Sequence, residues 1–374
     1  MDLQEIRKRL DVIDRKFVRL FEERMALCRE VAEYKIGTGK PVYDGAREKQ
    51  KIEAVRALAT EENKQSVEEL FSQMMTLSRR LQYQILAERG KGIKFHFQAA
   101  DSLKMDGVRV VYQGIEGAYS HGATIQFFGE DADTYHVKTW EEAMQEVEAG
   151  RADYAVLPIE NSSAGVVADN YDLLMKYHNY IVAETFLPVN HALLGLPGAE
   201  LDKIQTVVSH PQGLMQCSDY LEAHPDWKQI SVENTAVAAR KVLEGGDVTE
   251  AAIASEIAGK LYGLKILQRE VNDNKKNTTR FIIVAKEAVY RKNAGKVSIC
   301  FELPHKSGSL YNILSHFIYN NVNMVMIESR PIKDKNWEYR FFVDIEGNLG
   351  DASVCNALKG IAEEAANMRI IGNY

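Results

Sequence analysis

Arg24 and Lys35 stand 11 residues apart in a stretch of helical periodicity, about three full turns, so they project from one face. Ser78 and Gln82 are spaced i, i+4 and share another face, as do Asp44 and Glu48, with Arg47 beside them. These groups can hold anions and donate hydrogen bonds in a bundle interior. Residues 1–90 contain no histidine, no metal-ligand cluster and no Ser-His pair. Such a set suits a reaction that needs charge recognition and orientation more than proton transfer. The plain alternative for each cation alone is a solvated charge on a long helix.

A second set lies in residues 107–286. It comprises Gly114–His121, Pro158–Ser163, Ser209–Gln212 followed by Gln216 and Cys217, and Asn277–Phe281. All four fall at strand–loop transitions, where open α/β sheets gather binding groups. The first has neither the glycine spacing of a dinucleotide fingerprint nor the lysine of a P-loop. Turn and cap chemistry alone accounts for Asn, Ser, Thr and Gly at such places, and His210 before Pro211 reads singly as a structural hydrogen-bonding group.

The elements that must position these groups follow from the hydrophobic period. Leu3, Ile6, Leu10, Ile13, Phe17, Leu20 and Leu27 predict a helix from residue 3 to about 36, ~50 Å long, stopped by Gly37, Gly39 and Pro41. Further helices are predicted over about 44–59 and 66–89. So long a helix in so small a unit cannot bury its apolar face alone, which predicts an intertwined dimer. Residues 91–106 read as a linker. Residues 107–290 alternate short β-rich runs with helical stretches. Past a junction near Arg291–Gly295, strands at 296–302, 322–330, 338–346 and 368–372 and helices at 309–319 and 352–365 predict a split βαβ, ferredoxin-like module. The domain plan is thus 1–90, 91–106, 107–290 and 291–374, without internal repeats.

The chain has 374 residues, enough for two or three domains. Its 45% hydrophobic and 26% charged content fits a soluble globular protein. Net charge is −7, which argues against a nucleic-acid binder. Residues 1–90 hold 18 basic and 16 acidic side chains, a net of +2 inside an acidic protein. No apolar run reaches the ~20 residues of a membrane span, and no secretion signal is visible. Four distant cysteines, Cys28, Cys217, Cys300 and Cys355, predict free buried thiols in a reducing compartment. A cytoplasmic protein is expected.

Residues 1–90 resemble the all-helical chorismate mutase family through Arg7, Arg24, Lys35, Asp44, Arg47, Glu48, Ser78 and Gln82, in order and at fitting separations. The resemblance implies an intramolecular rearrangement of chorismate to prephenate. In it, Arg7 of a partner chain, Arg24 and Arg47 would hold carboxylates, Lys35 and Gln82 would donate to the ether oxygen, and Glu48 would take the ring hydroxyl. Asp44 and Ser78 would complete the binding set.

Residues 107–286 resemble the prephenate dehydratase family through the Glu-Asn-Ser, His-Pro-Gln and Thr-Arg-Phe clusters. This implies a two-lobed fold like that of periplasmic binding proteins, with prephenate in the cleft losing carbon dioxide and its ring hydroxyl. Thr279 would give a hydrogen bond or proton to the departing oxygen. Asn161, Ser209 and Gln216 would position substrate, with Glu160, Ser162 and Ser120 nearby. Arg280 would bind or orient a carboxylate, or serve the framework. No cofactor and no metal is implied.

Residues 295–374 resemble an ACT domain through Gly308-Ser309-Leu310 and Glu328-Ser329-Arg330-Pro331, with serine at 309 where many members have alanine. The resemblance implies an allosteric phenylalanine site made of Gly308, Ser309, Leu310, Glu328 and Ser329, in a homo-oligomer, dimer or tetramer, with no nucleic-acid or membrane partner. Two other readings remain at this point: a mutase joined to a nicotinamide-dependent prephenate dehydrogenase, for which Gly114 and Gly117 supply no fingerprint, and a sensor that has lost its chemistry.

Overall fold

Asp2 accepts a hydrogen bond from the Gln4 amide (3.3 Å) and opens α1 (Leu3–Thr38), which Gly39 closes in the left-handed conformation that glycine adopts without strain. Asp44 caps α2 (Gly45–Leu58) in the same way, its carboxylate accepting from the Arg47 amide at 3.0 Å. The third helix is α3 (Lys64–Glu88). Arg24 meets Ser78 and Glu33 meets Arg89, so α3 runs alongside α1 in the same direction. The only buried residue of α1 is Ala32; Leu10, Ile13, Leu20 and Leu27 are all more than half exposed. The prediction that this chain cannot cover its first helix alone is met.

The chain continues through β1 (Gln98–Ala100), β2 (Arg109–Gln113), α4 (Tyr119–Phe128), β3 (Asp133–Val137), α5 (Trp140–Glu148), β4 (Tyr154–Asn161), β5 (Gly165–Val166), α6 (Ala168–Lys176), β6 (Tyr180–Pro188), β7 (His191–Gly195), β8 (Thr206–Ser209), α7 (Pro211–Met215), α8 (Ser218–Glu222), β9 (Lys228–Ser231), α9 (Thr235–Gly245), β10 (Glu250–Ser255), α10 (Glu256–Leu261), β11 (Lys265–Gln268), β12 (Thr278–Ala285) and β13 (Val289–Arg291). It ends with β14 (Lys296–Leu303), α11 (Ser309–Tyr319), β15 (Met324–Pro331), β16 (Tyr339–Glu346), α12 (Ala352–Glu364) and β17 (Ala366–Asn373). The computed structural model describes residues 2–90, 95–303, 305, 308–333, 335 and 337–374.

These elements form two units: Met1–His96 with Gly295–Arg369, and Phe97–Ala294 with Ile370–Tyr374. The grouping differs from a simple succession of segments, because α12 packs on α3 and the last five residues leave the C-terminal module. Residues 91–94 of the expected linker lie outside the described residues. The remainder is more ordered than its composition predicts. β1 pairs in parallel with β13, and Phe97 packs edge-on against Tyr180 at 5.2 Å.

In the second unit, one lobe carries the strand order β6-β12-β4-β2-β3, with β2 parallel to β3 and β4 and β12 antiparallel to its neighbours. The other carries β11-β7-β10-β8-β9. The chain crosses between them twice, at residues 189–190 and 269–277. Each sheet has apolar side chains on its faces: Val110, Val156, Phe281 and Ile283 in the first, Leu194, Val208 and Ala252 in the second. This is the predicted two-lobed α/β architecture. In the first unit, the predicted βαββαβ order is present as β14–β17 with α11 and α12, and β15 stands at the sheet edge beside β16. Among the described residues, no helix is long and apolar enough to cross a membrane.

Candidate active sites

In the helical part, α1 and α3 bring Arg24 and Ser78 together: the guanidinium donates to Ser78 Oγ at 2.5 Å and to the Met74 carbonyl at 3.4 Å. Gln82 follows one turn on, buried, its Nε2 donating to the Ser78 carbonyl at 3.3 Å. Its Oε1 is buried without a hydrogen-bond partner among the described residues. Lys35 Nζ donates to the Val42 carbonyl at 2.5 Å. Burial lowers its pKa from the ordinary 10.5, while Asp44 and then Glu48 pull the other way. Glu48 forms an ion pair with Arg79.

Two predicted members, Arg47 and Arg7, do not join this cluster in one chain, whereas the charge of Asp44 reaches Lys35. Asp44 is exposed and spends its carboxylate on capping α2. Arg47, in the exposed first turn of α2, donates to Gln50 at 2.6 Å. Arg7 is exposed and lies 17 residues before Arg24 on α1, about 25 Å along the axis, too far to serve its own chain's site.

In the two-lobed part, Thr279 and Asn161 face each other across β12 and β4. Asn161 Oδ1 accepts from the Ser163 and Ala164 amides at 3.0 and 2.8 Å, which fixes the orientation of the side-chain amide. Its Nδ2 therefore donates, to Thr279 Oγ1 and to Asn277 Oδ1, both at 2.8 Å. The Thr279 hydroxyl accepts from Asn161, and its own hydrogen is left to point onward. Ser162 closes the same strand ends, its Oγ accepting from the Thr278 amide at 2.9 Å.

Gln216 caps α7 in the other lobe, 3.0 Å from buried His191 Nε2, and Tyr119 OH lies 3.0 Å from His191 Nδ1. Burial lowers the His191 pKa, with the Gln216 bond working against it. The second crossing ties the two clusters together. Asn272 Oδ1 accepts from the His191 amide at 3.1 Å, and Asn274 Nδ2 donates to Ser163 Oγ at 2.9 Å. His210 is structural, as expected from its place before Pro211: its Nδ1 accepts the Gln212 amide at 3.2 Å.

The remaining predicted residues of this part are Ser209, Arg280, Glu160 and Ser120, and for Arg280 the framework reading is the one its partners fit. Ser209 is fully buried and gives its hydroxyl to the Ile253 carbonyl at 2.7 Å. Arg280 follows Thr279 on β12 and so points from the opposite face. There it donates to Glu184 Oε2 at 2.7 Å and to Tyr374 OH at 2.8 Å, and Glu160 lies 3.8 Å away. Glu160, paired with Arg280 in register, shares that face and not the face of Asn161. Ser120 is buried in the first turn of α4. Of the four cysteines, Cys217 and Cys300 are buried, whereas Cys28 and Cys355 are half-buried, all as free thiols; burial pushes Cys217 up to about 12.

Comparison with known proteins matches the two segments that carry these clusters to two families. The profile described as Chorismate mutase type II matches residues 6–83, and that described as Prephenate dehydratase matches residues 110–289. The bifunctional chorismate mutase/prephenate dehydratase of Aquifex aeolicus is 33% identical over 374 residues, covering 100% of this chain and 98% of the relative. The chain belongs to the bifunctional chorismate mutase/prephenate dehydratase family. It joins a chorismate mutase to a prephenate dehydratase. The Escherichia coli bifunctional enzyme is 32% identical over 379 residues, covering 100% of this chain and 96% of that relative. The solved prephenate dehydratase of Arthrobacter aurescens, in complex with L-Phe, shares 30% identity at a TM-score of 0.67, covering 71% of this chain and 89% of that one.

Around the mutase and dehydratase clusters stand residues that sequence reasoning passed over. Arg79 is buried between Glu48 and Glu364; burial works against its charge, but Glu48 and then Glu364 outweigh it and raise its pKa. The signal was present as a cation inside the apolar stripe Met75–Arg79–Tyr83. Asn277 is buried, and with its Oδ1 occupied by Asn161 its Nδ2 is a donor without a partner among the described residues. Tyr119 and His191 gain their meaning only from Gln216, which no local pattern gives.

In the C-terminal module, Gly308 takes φ +81° immediately before α11, with Ser309 and Leu310 opening that helix. Glu328, half-buried, and exposed Ser329 sit on edge strand β15. The two predicted pieces of the effector site are on separate elements and share no hydrogen bond among the described residues. Gly308 and Ser309 do line a cleft of about 1080 Å³ that Glu48, Arg79 and Glu364 also line.

Proposed function

We propose that the chain carries out two consecutive steps of phenylalanine biosynthesis in the cytoplasm and is inhibited by its downstream product. The mutase, in 1–90, holds the two carboxylates of chorismate and stabilises the negative charge that develops on the ether oxygen. Arg24 and Arg47, with Arg7 of a second copy, bind carboxylates; Lys35 and Gln82 donate to the ether oxygen; Glu48 takes the ring hydroxyl; Asp44 and Ser78 support the set. The free Oε1 of Gln82 and the Arg24–Ser78 bond support an inward-facing polar pocket, and the uncovered face of α1 supports pairing of two chains.

The dehydratase, in 107–290 after a linker over 91–106, uses Thr279 to stabilise the departing hydroxide while carbon dioxide leaves and the ring becomes aromatic. One observation carries this reading: Thr279 Oγ1 receives a hydrogen bond from an orientation-locked Asn161. A hydroxyl that accepts in this way is a stronger donor toward the leaving oxygen. Gln216 and Asn161 position prephenate, with Ser162 at the rim. Ser209 supports the loop under Gln216, and Arg280 and Glu160 support β12 from behind.

The module at 291–374 is read as an ACT domain that binds L-phenylalanine through Gly308, Ser309, Leu310, Glu328 and Ser329, in a homodimer or tetramer. Its βαββαβ order and the L-Phe in the Arthrobacter relative support this. The direct test is pure protein with chorismate alone and no nicotinamide. Prephenate should appear first and phenylpyruvate after it, and added phenylalanine should slow the second step. Prephenate that only accumulates would overturn the dehydratase reading.

A further inference from the structure

Arg79 stands between two modules. Its side chain is 7% exposed. One guanidinium nitrogen pairs with Glu48 on α2; the other donates to Glu364 Oε1 on α12 at 2.6 Å and to Thr76 Oγ1 at 3.1 Å. The Tyr43 ring lies 5.3 Å from the guanidinium. His316 Nε2, on α11, lies 3.2 Å from the same Glu364 oxygen. His316 can sit there because residue 360 is glycine: a Cβ would stand 2.2 Å from His316 Nδ1. One turn further along α3, Tyr83 OH bonds Glu363. The C-terminal module thus presents Glu363 and Glu364 to α3 directly behind Glu48.

A carboxylate meant for a substrate hydroxyl needs a fixed rotamer, and a planar guanidinium with its second edge anchored supplies one. We propose that Arg79 is a positioning residue of the mutase, holding Glu48 for the chorismate ring hydroxyl, and that Glu364 of the C-terminal module anchors Arg79 so that this module is a working part of the mutase site. The inference rests on the proposed role of Glu48. It goes beyond that role by placing part of the mutase machinery more than 280 residues downstream in the sequence. Effector binding at Gly308 and Ser309, in the same cleft, would then reach the mutase through α11, His316 and Glu364.

The test uses the full chain and both reactions, with prephenate supplied directly for the second. Arg79→Gln should lower mutase kcat/KM at least tenfold, mainly in kcat, and leave the dehydratase within twofold; Arg79→Lys should recover part of the loss. Glu364→Gln, which keeps Arg79 and Glu48, should lower mutase kcat three- to tenfold. Glu48→Gln is the control on the underlying role: if it retains full mutase activity, the reading of Glu48 fails first. If Glu48→Gln is impaired while Arg79→Gln and Glu364→Gln keep kcat and KM within twofold, the positioning role is overturned. If Arg79→Gln loses both activities together and Glu364→Gln loses neither, Arg79 serves the fold alone and the proposal is equally overturned.

Discussion

Replacing Thr279 by valine keeps the volume and β-branching of the side chain in β12 and removes only the hydroxyl. Two consequences follow from the hydrogen bonds around it. Asn161 Nδ2 loses one acceptor but retains Asn277 Oδ1 at 2.8 Å and the Thr278 carbonyl at 3.4 Å, so the stability cost is that of one ordinary hydrogen bond, about 1 kcal/mol. For a unit of this size that shifts Tm by roughly 2–4 °C. The effect on catalysis is larger. A preorganised donor aimed at developing negative charge contributes about 2.7–4 kcal/mol, or on the order of 10²- to 10³-fold in kcat. Thr279→Val should therefore convert chorismate to prephenate at the parent rate and then stall. Thr279→Ser should restore most of the second step, because serine keeps the oxygen that Asn161 orients. The assay follows prephenate and phenylpyruvate in one reaction started with chorismate, with the mutase step as the internal control. Phenylpyruvate formation by Thr279→Val within threefold of the parent would refute the reasoning, since no other hydroxyl is held by Asn161 among the described residues.

Two further outcomes concern the other sites. Glu328→Ala should weaken phenylalanine inhibition and spare most uninhibited turnover, since Glu328 lies on edge strand β15 and is assigned to neither proposed catalytic set; unchanged inhibition curves would remove it from the effector site. Burial lowers the pKa of Lys35, so its charged form, the one proposed to donate to the ether oxygen, is lost earlier as pH rises, and the alkaline limb of mutase kcat/KM should fall below the ordinary lysine value of 10.5. Lys35→Arg, which stays protonated, should show residual activity flat through that range; a limb at the same pH in both proteins would assign the titration to another group.

Periodicity was enough to place α1, because seven apolar residues at steps of three, four and finally seven keep to one helical face and leave no other element of that length. It placed the βαββαβ module as well, since each strand and helix there is bounded by its own turn signals. Residue type was less informative than partner. Asp44 is the residue expected to bind substrate, yet the same carboxylate is what a helix N-terminus needs, and in this chain α2 takes it. Arg280 stands in a Thr-Arg-Phe triplet whose first and second members must face opposite ways on a strand. Its partners, Glu184 and Tyr374, lie 96 and 94 residues away in sequence, beyond any local pattern. Ser209 likewise reads as a loop hydroxyl until β10 brings the Ile253 carbonyl against it. Arg79 was legible only as an anomaly, a cation on an apolar stripe, until α12 supplied the second carboxylate.

The second crossing between the dehydratase lobes, residues 269–277, has a consequence for engineering. Asn272, Asn274 and Asn277 belong at once to the segment that joins the lobes and to the bonds that hold His191, Ser163 and Asn161. The connection between the lobes and the alignment of these side chains are therefore one set of bonds. A proline or a shortened loop introduced there for thermostability should therefore change turnover as well as stability, and so should changes at the start of α8, where Asp273 accepts from Ser218 and Asp219.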